Sequence, residues 1–166
     1  MTKLFSEYPS QVRASTQRPG ARFVRRPGYY AEHGRLQNMP ARGAELVLND
    51  GRIAVFQGEP AVEKRDSPPI TLSPIYELQP GGSPAVPTGL IFIRLREGVD
   101  VASRRQEIER RGYEIAQTVP YASNAAWLRA TSASIADALA GIAKLEALPD
   151  IENVEPQMLM ESVPKR

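Results

Sequence analysis

His33 is the only histidine in the chain, and Glu32 is the one acidic side chain adjacent to it. An imidazole beside a carboxylate could act as a general base or a metal ligand. A metal site needs further ligands, which the surrounding sequence does not offer, so His33 reads as an exposed loop residue. Ser83 lies in Gly81-Gly82-Ser83-Pro84 with no base beside it, so no hydrolase triad is expected. There is no phosphate-cradling glycine loop and no nucleophile elbow. With 0 cysteines, disulfides, thiol catalysis and thiolate metal sites are excluded. The chain is therefore not expected to be an enzyme, and no cofactor or metal is expected. Residues 1–42 hold eight Lys or Arg against two Glu, with Phe23, Tyr29 and Tyr30 among them. That mixture could contact phosphates and stack on bases. The formal net charge is only +2 and no nucleic-acid-binding module is visible, so nucleic acid is not the expected partner.

The elements that would position any site are clearest in the second half. Leu90-Ile91-Phe92-Ile93-Arg94-Leu95 is an apolar run too short for a helix and rich in β-formers, which predicts a buried strand. Ile91, Ile93 and Leu95 share one face of it, and Leu90, Phe92 and Arg94 the other. Asp100 can cap a helix running to about Arg111, with Val101 and Ile108 facing inward and Gly112 ending it. Residues 113–119 and 125–130 predict two strands around a turn. Ser132 or Ser134 can cap a second helix, where Ile135, Leu139, Ile142 and Leu145 recur at helical spacing and Ala138 and Leu148 widen the stripe. Residues 151–156 open a last strand. Phe92 and Trp127 are each either core residues or part of a less covered sheet face. The resulting expectation is an α+β fold: a ferredoxin-like βαββαβ antiparallel sheet with two helices on one face.

The first half differs in character. Of the 15 prolines, eleven precede Thr88. Residues 1–44 are expected to form a basic, Pro/Gly-rich arm, extended or disordered. Residues 45–79 form a small hairpin region, in which Asn49-Asp50-Gly51 supplies the turn between two apolar runs. Residues 80–87 read as a linker and residues 88–166 as a separable domain. No run approaches the length of a membrane helix. No apolar stretch follows Met1-Thr2-Lys3-Leu4-Phe5-Ser6-Glu7, so no secretory signal is read and a cytoplasmic location is expected.

Two segments carry a family likeness. Gly89-Leu90-Ile91-Phe92-Ile93-Arg94-Leu95-Arg96-Glu97-Gly98-Val99-Asp100 resembles the opening strand and turn of subtilisin-type propeptides. Leu145-Glu146-Ala147-Leu148-Pro149-Asp150-Ile151-Glu152-Asn153-Val154-Glu155-Pro156 resembles their ending, where a helix closes on Leu-Pro and a strand with Val-Glu-Pro follows. The resemblance covers residues 88–166. It implies a stand-alone inhibitor, and folding helper, of a subtilisin-like serine protease. The uncovered sheet face would pack on surface helices of the enzyme.

In such propeptides the last strand runs on into the active site. Counting from Val154-Glu155, the resemblance sets Val163 at the primary specificity pocket and Met160 at a second deep pocket, with Glu161 and Ser162 between. Pro164 would follow the scissile position, where a residue without a backbone N–H resists hydrolysis. Met158 belongs to the same tail. A rival register puts Arg166 in the pocket. Alternatively Met158, Leu159 and Met160 simply complete the sheet. Two other readings stand beside the inhibitor: a propeptide separated from its own protease, and a protein-interaction module with a basic arm.

Overall fold

The structure is a computed structural model that describes residues 4–61 and 70–161. Its strands are β1 (Gln11–Ser15), β2 (Arg18–His33), β3 (Leu46–Leu48), β4 (Ile53–Gln57), β5 (Thr71–Gln79), β6 (Pro84–Leu95), β7 (Tyr113–Val119), β8 (Ala122–Ala130) and β9 (Ile151–Leu159). The helices are short: α1 (Arg105–Arg110), α2 (Ile135–Ala140) and α3 (Ile142–Glu146). All pairings are antiparallel in a 9-stranded sheet ordered β3-β4-β2-β5-β6-β8-β7, with β1 on β2 and β9 on β6.

This corrects the fold class. The chain is not a two-helix ferredoxin-like α+β fold behind an irregular N-terminal region. It is 50% strand and 16% helical, and the sheet runs through both halves. The prolines of the first half mislead for a local reason. The β2–β5 register shifts between Arg26 and Ala31 on one strand and between Ile75 and Ser73 on the other. Pro27 and Pro74 both fall in that interruption, where a missing N–H removes no ladder bond. Gly28, at φ 85, sits in the same irregularity.

The first half is also stitched to the second. Within the first half, Arg25 donates to Phe5 O and Leu4 O, and Tyr76 Oη donates to Pro9 O. Thr16 N donates to Val154 O, and Val154 N donates to Thr16 Oγ1. Neighbouring strands therefore run β9-β6-β5-β2-β1 and return to β9 through Thr16. Phe5, Tyr8, Phe23, Tyr30 and Tyr76 share one apolar cluster with Ile91, Ile93, Leu128, Leu139 and Leu145. Burying each large side chain contributes about 1.5–3 kcal/mol. Residues 80–87 form the turn between β5 and β6 and the start of β6, in which Ala85 and Val86 are buried.

The helices are short for readable reasons. Residues 101–104 form a 3-10 turn, Asp100 makes no capping bond, and only Val101 and Ile108 are buried along this stretch. So small an apolar face holds little helix. Ser134 does cap α2, its side chain accepting from Asp137 N. Gly141 separates α2 from α3. The Tyr113 hydroxyl donates to Ala138 O beside it, and a Cβ on Gly141 would lie 2.5 Å from Tyr113 Oη. The φ of Gly141 is −91°, so backbone strain is not at issue. Gly141→Ala is expected to destabilise by about 1–3 kcal/mol through overpacking. Tyr113→Phe should relieve part of that penalty, which a double-mutant cycle in urea checks.

Candidate functional site

The tail begins as part of the sheet. Met158 pairs with Pro87 and Leu159 with Val86. Met158 packs against the main core, and Leu159 against a second cluster of Ala31, Ile53, Val55, Ile75 and Val86. Met160 is 38% exposed and Glu161 is exposed. Leu159, Met160 and Glu161 border a shallow depression of about 300 Å³ whose far wall is Val47, Leu48 and Asn49 at the end of β3. Of the six tail residues singled out from sequence, Met158 is held in the sheet while Met160 and Glu161 leave it. Ser162, Val163 and Pro164 lie outside the described residues, as does Arg166.

A second feature lies on the sheet face away from the helices. Phe92 and Trp127 are cross-strand partners, their ring centroids 5.2 Å apart and tilted by 60°. Such a pair adds about 0.5–1.5 kcal/mol beyond its buried area. Neither ring belongs to the buried core, and both are half-buried. Glu155 on β9 stands opposite Phe92, and Gln117 on β7 opposite Trp127. The row therefore crosses four strands, with aromatics in the middle and polar groups at its ends. Ion pairs Arg94–Glu152 at 3.8 Å and Arg129–Glu114 at 2.7 Å flank it. The alternation of β6 locates Phe92 on this face. Its pairing with Trp127 depends on a register that no local pattern states.

The sequence misjudged the surroundings of His33, which ends β2 and is largely covered. His33 Nε2 and Ser73 Oγ are 2.8 Å apart, and Ser73 Oγ donates to Pro74 O at 3.0 Å. With the hydroxyl hydrogen directed at that carbonyl, Nε2–H is the donor to Ser73. Ser73 is fully buried, so this is a structural bond rather than a nucleophile and its base. Next to it Glu32 and Arg35 form a buried ion pair at 2.7 Å, and Arg35 also donates to Gly51 O and Pro40 O. Burial pushes the His33 imidazole down from 6.5 to about 4. The unfolded chain then takes up a proton that the folded chain refuses. Stability from this group is complete above about 6.5 and falls by about 1.4 kcal/mol per pH unit between 6.5 and 4. His33→Gln is expected to flatten that slope in urea titrations at stepped pH.

The arginines of the first half are largely engaged within the chain. Arg13 pairs with Glu146 at 2.7 Å, and Arg26 covers the Tyr29 ring at 4.6 Å. Arg18, Arg22 and Arg42 are exposed. Among the described residues no group of three His, Cys, Asp or Glu could hold a metal ion, and no helix is long and apolar enough to cross a membrane. Comparison with known proteins gives no match to a protein-family model, a curated protein or a solved structure.

Proposed function

We propose that the chain is an inhibitor of a subtilisin-like serine protease, and a folding helper for it, acting through its C-terminal tail. The observation that carries this reading is the relation of the two family-like segments. They form β6 and β9, hydrogen-bonded neighbours, and β9 runs out to an exposed end at Met160 and Glu161. An extended tail adds a strand to the edges of the enzyme's cleft and fills its pockets with alternate side chains. Met160 and Val163 are the proposed pocket residues, and Pro164 the brake on hydrolysis. The body holds the tail in place, so little entropy is lost on binding. Phe92 and Trp127 supply the apolar centre of the face that would rest on the enzyme.

Hydrolysis of a chromogenic peptide by purified subtilisin tests the proposal. The full chain is expected to inhibit. A chain ending at Met160 is expected to lose inhibition by about 100-fold or more with an unchanged melting temperature, because no described contact of the core is removed. Equal inhibition by the two chains would exclude the tail mechanism. Absence of inhibition by the full chain would sink the reading for this class of enzyme.

A further inference from the structure

The sheet ends differently at its two sides. At one side β3 has 3 residues, a short edge that gives another chain little to pair with. At the other, β7 has 7 residues. Among the described residues nothing hydrogen-bonds its backbone on the side away from β8. Glu114 is occupied by Arg129, and from Ile115 to Val119 the strand has neither charge nor proline. Ala116, Gln117 and Thr118 are exposed. An open cleft of about 510 Å³ borders this strand on the helix side. Ile115, Thr118 and Val119 line it from β7, and Val101, Ala102 and Arg105 from the start of the first helical segment.

We propose that the outer edge of β7 is a strand-addition site for a short extended segment of a partner protein, with one apolar side chain seated in the cleft. Free backbone N–H and C=O groups in alternation are complemented only by another extended backbone. The cleft beside them supplies the selectivity, and its apolar wall sets the kind of side chain. Register shifts between Ile115 and Gln117 and between Thr118 and Val119 decide between occupants. A bulge interrupts long, flat edge-to-edge pairing with a second copy of the chain. The in-register stretches between the shifts, Tyr113–Ile115 and Gln117–Thr118, are long enough to meet a short peptide but not a long flat strand. The site is independent of the inhibitor reading, because β7 and β9 lie on opposite sides of β6 and β8. A protein engaged at its tail could still hold a second chain here.

The test titrates the isotope-labelled intact chain with a capped peptide, Lys-Thr-Leu-Thr-Leu-Thr-Lys. Saturable amide shifts are expected at Ile115, Gln117, Val119 and Ala102. The same peptide N-methylated at alternate residues should bind at least about ten-fold more weakly, since its backbone donors are lost. Ala116→Lys should weaken the unmodified peptide similarly. If that variant does not fold, the N-methyl comparison decides by itself, since it leaves the protein untouched. No saturable shift at millimolar peptide overturns the proposal, as does equal binding of the N-methylated form. Sedimentation showing a dimer that Ala116→Lys dissociates would also overturn it, assigning the edge to a second copy.

Discussion

Leu139→Ala is expected to lower the unfolding free energy by about 2–5 kcal/mol. Leu139 is 4% exposed and belongs to the cluster that joins both halves of the chain. Its helix, α2, packs on β6 and β8, so the cavity opens within the cluster that also holds Ile91 and Leu128. A chain of this size has about 5–15 kcal/mol in total, so the loss is a large fraction. Urea unfolding should show a lower midpoint with an unchanged slope. The contrast is Tyr121, fully exposed at the β7–β8 turn. Tyr121→Ala should stay within about 0.5 kcal/mol of the parent. An unchanged midpoint for Leu139→Ala would mean that this face of α2 is not buried.

Local signals were legible where one side-chain face is buried by neighbours close in sequence. The apolar run from Leu90 to Leu95 lies in β6, and the stripe Ile135, Leu139, Ile142, Leu145 lies across α2 and α3. What local pattern did not state is how far the sheet extends. β2 carries Pro19, Pro27 and four arginines, a composition that reads as an unstructured arm. It becomes a central strand because Phe23, Tyr30 and Ala31 bury their side chains against elements far along the chain. Pro27 is tolerated because it coincides with Pro74 of β5 in one register gap, a fact of pairing rather than of composition. The covering of His33 has the same origin, since its bonding partner Ser73 is 40 residues away. The extension of the last strand past Pro156 stood in the sequence only as an alternative to a free tail, since the pairing of Met158 with Pro87 and of Leu159 with Val86 is likewise long-range.

Trp127→Glu is expected to weaken inhibition of a subtilisin-like protease by about 30-fold or more, a loss of roughly 2 kcal/mol or greater, as for an interface tryptophan. The prediction rests on the proposed inhibitor function and on the row Glu155, Phe92, Trp127, Gln117. An aromatic pair with polar groups at both ends has the composition of an interface centre within a wetter rim. A carboxylate introduced there would be desolvated without a partner on docking, which adds to the lost contact area. The free protein should lose less stability than Leu139→Ala does, because the ring is half-buried and stands outside the core. Inhibition constants measured alongside melting temperatures separate the two effects. Combining Trp127→Glu with removal of the residues after Met160 adds a further distinction. Two surfaces that bind independently give additive losses, whereas a face that serves to aim the tail gives a combined loss no larger than that of tail removal alone. If Trp127→Glu leaves inhibition intact while tail removal abolishes it, the tail binds without the sheet face, and the aromatic pair serves the fold.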